Sequence, residues 1–149
     1  MPWIIFAAII WLFIILFLRS FLGRFWSAGF WAILVGYFLN DIFLQNQFYL
    51  FEELYYPIEG LPIGYLIGLA GIGIIIVRFL TEEKVWQLPY LILFSALFTV
   101  LEHFAVEQGY LIYLNWSLYY SFFYKLIAFI TITWLSSLTV KRKKGYFYR

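Results

Sequence analysis

The stretch from Trp3 to Leu18, WIIFAAIIWLFIILFL, carries no charged, hydroxyl, amide or carboxyl side chain before Arg19 ends it. A helix crosses bilayer hydrocarbon with roughly 20 apolar residues, and about 17 to 25 are tolerated. This run is slightly short, so Pro2 and an Arg19 stem that snorkels toward the headgroups are expected to complete it. No basic n-region precedes it and no A-x-A leads into a polar mature start, so it reads as a retained helix rather than a signal peptide.

Outward from this run, the pattern repeats. A second span reads from about Phe25 to Gln45, interrupted late by Asn40 and Asp41, and a third from Leu61 to Val77, stopped by Arg78. A fourth runs from about Gln87 to Val106, with Glu102 and His103 near its end, and a fifth from Trp116 to Leu138, with Lys125 inside it. All are too long for strands and none alternates like a barrel strand. Pro62 and Pro89 fall in first turns, where a missing N–H costs nothing. The expected fold class is all-α: a polytopic membrane bundle of five transmembrane helices in one domain, residues 1–149, with 139–149 as a basic tail.

Composition agrees. Hydrophobic residues are 65% of the 149 and charged residues 12%, against about 45–50% and about 25% in soluble domains. Mean hydropathy is +0.89, and such a chain lacks the polar groups to cover a water-soluble surface. Short cytoplasmic loops are enriched in Lys and Arg. Here Arg19 and Arg24 lie in the first loop, Arg78 and Lys84 in the third, and Lys141, Arg142, Lys143, Lys144 and Arg149 in the tail. All but one of the 10 basic side chains fall on one side; the exception is Lys125. The N-terminus is expected outside and the C-terminus in the cytoplasm. The expected location is a bacterial plasma membrane, with the lipid bilayer as the main partner.

The same counts exclude several chemistries. Cys is absent, which removes disulfides, thiolate metal sites and thiol nucleophiles, and one His removes multi-histidine sites. No P-loop, nucleophile elbow, EF-hand loop or H-E-x-x-H occurs. A net charge of +2 implies no nucleic-acid-binding surface. Neither cofactor nor metal is expected.

Small residues mark contact faces between membrane helices. Gly64, Gly68 and Gly71 recur at i, i+4 and i+7 on the third span, and Gly29, Gly36 and Asn40 form a similar stripe on the second. Packing within one molecule is the plain reading; a substrate path or a dimer seam is the alternative. Ser95, Thr99 and Glu102 share a face of the fourth span, with His103 at its edge, and Ser117, Ser121, Tyr124, Ala128 and Thr131 share one on the fifth, flanked by Lys125. Lipid offers polar groups no partners, so both stripes should point into the bundle. The polar cluster expected inside the membrane is Asn40, Asp41, Glu102, His103 and Lys125. Lys125 should pair with Glu102 or Asp41, with Glu102 favoured because the fourth and fifth spans are sequential antiparallel neighbours. Adjacent helical residues point about 100° apart, so Glu102 and His103 cannot chelate one ion together.

Two exposed segments remain. The loop Gln47 to Gly60 mixes Phe48, Tyr49, Phe51, Tyr55 and Tyr56 with Glu52, Glu53 and Glu59. It reads as a helix end and turn at the interface, rings down and carboxylates up; recognition of an outside ligand is the alternative. Lys141, Arg142, Lys143 and Lys144 act as a topology signal and could touch anionic lipid.

The segments Gly36–Asp41 (GYFLND), the Glu102 region and Asn115–Ser121 (NWSLYYS) resemble a family of small multi-pass membrane proteins from spore-forming Gram-positive bacteria. The resemblance covers about Trp31 to Leu138 and implies fold and membrane localisation, with no activity attached. The basic Lys141–Lys144 tail departs from the His- and Pro-containing ending of that family. Three functions stay in view. The first is a non-enzymatic membrane protein with a structural polar core, alone, as a homo-oligomer or with a membrane-protein partner. The second is a small transporter or channel using Asp41, Glu102, His103 and Lys125. The third is a lipid-modifying enzyme with Glu102 or His103 as acid/base.

Overall fold

The computed structural model describes residues 2–52 and 57–140. The tail residues Lys141, Arg142, Lys143 and Lys144, and Glu53, Tyr55 and Tyr56 of the second loop, lie outside the described residues.

The chain is mostly helical. Helix α1 (Pro2–Phe13) passes through a π-turn (Ile14–Leu18) and a 3-10 turn (Arg19–Phe21) into α2 (Leu22–Gln45). Strands β1 (Tyr49–Phe51), β2 (Pro57–Ile58) and β3 (Leu61–Pro62) follow, then α3 (Ile63–Phe79), α4 (Lys84–Glu107), β4 (Leu111–Tyr113) and α5 (Leu118–Thr139). Three helical stretches, Pro2–Gln45, Lys84–Glu107 and Leu118–Thr139, are long and apolar enough to cross a membrane, and α3 is a shorter apolar helix.

The stretch Pro2–Gln45 doubles back on itself. Gly64 of α3 lies against Trp3 and Gly71 against Ile10 and Ile14, so α1 runs parallel to α3. Gly73 lies against Ala28 and Ala32, and Gly36 against Leu69, so α2 runs antiparallel to it. The reversal uses neither Gly nor Pro: the helix tightens from π to 3-10 geometry around Leu18, whose backbone (φ −122°, ψ 7°) leaves the helical region. Helix α5 then packs on α2 and α3, and α4 on α5.

Gly64, Gly68 and Gly71 face α1, while Gly29 and Gly36 of α2 face α3 across Ala70, Ile74 and Leu69. Gly73, which the stripe reading did not include, lets α2 approach the opposite side of α3. Two glycine seams thus hold α3 between α1 and α2. Around this centre the surface is apolar: Leu16, Phe17, Leu93, Tyr119, Trp134 and Leu138 are each more than 60% exposed. Exposed apolar area on this scale suits lipid contact rather than water.

Several boundaries differ from those expected. The third helix begins at Ile63 because Leu61–Pro62 pair with Pro57–Ile58 in a hairpin. Its Glu59-Gly60 turn has φ +49° and +86°, the two positive values of a type I′ turn. Helix α4 begins at Lys84, so Pro89 lies inside it rather than in its first turn. The segment after Gln45 is a strand rather than an interfacial helix end: β1 pairs antiparallel with β4, Tyr49 opposite Tyr113 and Phe51 opposite Leu111. Tyr49 and Phe51 are buried while Leu50 between them is exposed, the alternation of a one-sided strand. This two-residue period brings the second and fourth loops together over one end of the bundle. At the other end the Arg78 guanidinium sits 4.1 Å from the Phe21 ring, and Thr139 of α5 meets Ser27 of α2 at 3.2 Å.

Candidate functional site

Beneath the β1–β4 ladder, two polar nodes tie the helices together. The first is Glu102 of α4. One carboxylate oxygen accepts from the Tyr113 hydroxyl of β4 and the Ser121 hydroxyl of α5, and the other accepts from the Lys125 ammonium. Ser121 in turn accepts from the Trp116 indole N–H at 2.9 Å. Carboxylate and ammonium are both largely buried, with side-chain exposures of 19% and 11%, so their charges act on each other with little screening by water.

The second node is Asn40 of α2, 1% exposed. Its amide nitrogen donates to the Gly36 carbonyl at 2.5 Å and to the Tyr124 hydroxyl of α5 at 2.8 Å. Its oxygen accepts from Tyr49 of β1 and, at 3.4 Å, from Tyr65 of α3. A primary amide offers two donors and two acceptor lone pairs, and Asn40 spends all four. Tyr49 and Tyr113 are direct partners across the ladder and so point to the same face. One hydroxyl reaches Asn40 and the other Glu102. Burial pushes the Tyr113 phenol well above the ordinary tyrosine value, and the Glu102 charge pushes it the same way. Burial likewise raises Tyr49, with neighbouring tyrosines adding to it. Both phenols therefore stay protonated and donate.

Asn40, Glu102 and Lys125 are brought into this core, whereas Asp41 and His103 are not. Asp41 accepts from Gln45 at 2.8 Å on its own helix, and His103 lies 3.3 Å from Glu107 with nearly half its side chain exposed. The cause is the 100° step between adjacent helical residues: burying Asn40 and Glu102 turns Asp41 and His103 aside. The hydroxyl stripe also behaves locally, since Ser95 donates to the Leu91 carbonyl at 2.7 Å and Thr99 to the Ser95 carbonyl at 2.8 Å. Among the described residues no group of three or more His, Cys, Asp or Glu side chains could hold a metal ion. Tyr49, Tyr65 and Tyr113 were missed by sequence reasoning. The alternations Tyr49-x-Phe51 and Leu111-x-Tyr113 were the available signal for two of them.

These positions predict contrasting substitutions. Asp41→Asn and His103→Gln should each shift thermal stability in detergent by no more than about 0.5 kcal/mol, as ordinary surface changes do. Asn40→Leu should cost about 1–3 kcal/mol for each buried hydroxyl left without its partner, Tyr49 first. Equal effects at Asn40 and Asp41 would remove Asn40 as a node.

Between the nodes lies a cavity of about 100 Å³, reached by Trp3, Tyr65, Leu101, Glu102, Tyr124 and Lys125. Comparison of the chain with protein-family models, with curated proteins and with solved structures finds no match.

Proposed function

We propose that the protein is a small, non-enzymatic integral membrane protein that spans the bilayer five times, N-terminus outside and C-terminus in the cytoplasm. Its buried ionic core serves to fix helix register beneath an outer cap. The observation that carries this reading is the saturation of Glu102: three donors from α5 and β4 converge on one carboxylate. A carboxylate so engaged is poorly placed to take a proton or ion from a passing substrate. Transport through Asp41, Glu102, His103 and Lys125 loses two of its four groups, which lie outside the core. An acid/base role for His103 is weakened by its pairing with Glu107 on the exposed side of α4. A family of small multi-pass membrane proteins from spore-forming Gram-positive bacteria, with a bacterial plasma membrane as location, is part of this reading on the strength of the GYFLND and NWSLYYS segments.

Five crossings are supported by the reversal between α1 and α2 and by the joining of the second and fourth loops at one end. The orientation is supported by Arg19, Arg24, Arg78 and Lys84, which lie in or within about two residues of the α1–α2 and α3–α4 connections. The test is labelling of single cysteines, free of background in a chain without Cys. An impermeant maleimide should reach Glu52→Cys and Gln108→Cys in intact cells, and Glu83→Cys and Lys143→Cys only after permeabilisation. Labelling of Lys143→Cys from outside would overturn the orientation.

A further inference from the structure

The cavity beside Lys125 is not fully enclosed. Helix α4 packs mainly on α5 and β4 and α1 mainly on α3, and side chains of both α1 and α4 line the cavity. Toward the inner end Phe98 packs edge-on against Phe129, and both line the cavity. Above, Phe51 and Leu111 of the ladder cover it. Trp3 and Phe6 of α1 and Leu101 and Ala105 of α4 line another side. Leu101, which lines the cavity, is also 48% exposed on the apolar exterior, so this wall reaches the lipid-facing surface.

The polar groups of this cleft are unevenly spent. The acceptors are used: Glu102 takes three donors, and the Asn40 oxygen takes two. The donors are not. Among the described residues the Lys125 ammonium, which carries three N–H groups, makes one hydrogen bond, to Glu102. The Trp3 indole N–H is buried and has no hydrogen-bond partner among the described residues. Buried donors are normally satisfied, so the cleft asks for acceptor oxygens. It does not ask for charge, because Lys125 and Glu102 already neutralise each other and a third buried charge would carry a desolvation cost of its own. The walls are aromatic and aliphatic, and the space is narrow.

We propose that the cleft between α1 and α4 binds a neutral single-chain lipid whose carbonyl or hydroxyl oxygens accept from Lys125 and Trp3. Its head lies under the ladder, and its chain leaves between the two helices into the bilayer. This occupant goes beyond the structural role of the ion pair, which stands with or without it.

The test uses the full chain in nanodiscs and a dibrominated monoacylglycerol, whose bromines quench nearby tryptophan. Quenching should saturate, and Trp3→Phe should remove most of the saturable part. Lys125→Met should weaken binding about tenfold, the loss of one hydrogen bond from a charged donor. Should that variant fail to fold, Ala105→Phe fills the cleft from the α4 wall without replacing either member of the pair. It should abolish saturable quenching while leaving the helical circular dichroism and melting temperature near those of wild type. A dibrominated alkane, which has no oxygen, should quench only in proportion to its concentration. Quenching by the glyceride that never saturates, or that survives both Trp3→Phe and Ala105→Phe, would overturn the proposal. Equal saturable binding of the alkane would overturn the role of Lys125 and Trp3.

Discussion

Lys125→Met should lower the stability of the purified protein by about 3–5 kcal/mol, because it strands a buried carboxylate. Glu102 would keep Tyr113 and Ser121 but lose its only cationic partner among the described residues. Glu102→Gln should be similarly costly for the opposite reason, leaving the ammonium facing apolar walls and a weaker acceptor. The double variant should be closer to wild type than either single change, since replacing both partners of a buried pair is often near neutral. A double-mutant cycle on melting in detergent measures the coupling. Single effects that simply add would mean that the two charges do not depend on each other, and the ion pair would lose its structural role. Conversely, a strong coupling with no change in topology would mark the pair as the register pin between α4 and α5.

The second large effect belongs to the glycine seam, and its size should vary with what each glycine faces. A Cβ at Gly64 would sit 2.7 Å from the Trp3 carbonyl carbon and oxygen. Backbone cannot rotate away, so Gly64→Ala should separate α1 from α3 at a cost of about 3 kcal/mol, the upper part of the usual overpacking range. At Gly68 the obstacle is the Phe6 ring, which can turn. Gly68→Ala should therefore be milder, and Gly68→Leu, too large for that adjustment, should approach the Gly64 penalty. Gly23 is the control, with nothing within 4 Å of a built Cβ. Gly23→Ala should be neutral or stabilising by up to about 1 kcal/mol through helix propensity. Thermal melts of the four variants give the order directly. If Gly64→Ala melts with wild type, α1 does not pack on α3 as described.

How much of this was legible differs from element to element. The apolar run Trp3–Leu18 and its successors announce membrane helices because crossing hydrocarbon imposes a length and a composition that one dimension can carry. Gly64, Gly68 and Gly71 could be read as a contact face because helical spacing alone puts them in line. The partner of that face could not be read. That α1 fills it, rather than a second copy, follows from the reversal at Leu18, where no Gly or Pro marks the turn.

The polar core shows the same division. Residue type and depth identify Asn40, Glu102 and Lys125 as groups that need partners, and helical geometry limits what Glu102 and His103 can share. Which neighbours satisfy them depended on contacts between distant segments. Asn40 is completed by Tyr49, Tyr65 and Tyr124, the last 84 positions away. Tyr113 reaches Glu102 only because β4 finds β1, and three-residue strands between long helices carry too little periodicity to be seen. A helical membrane chain with a few buried polar groups is readable from residue order, since lipid acts on each segment independently. Which groups meet came from the tertiary structure, because, apart from the local Asn40–Gly36 and Trp116–Ser121 bonds, the hydrogen bonds of that core join residues that the helices and the ladder bring to one end of the bundle.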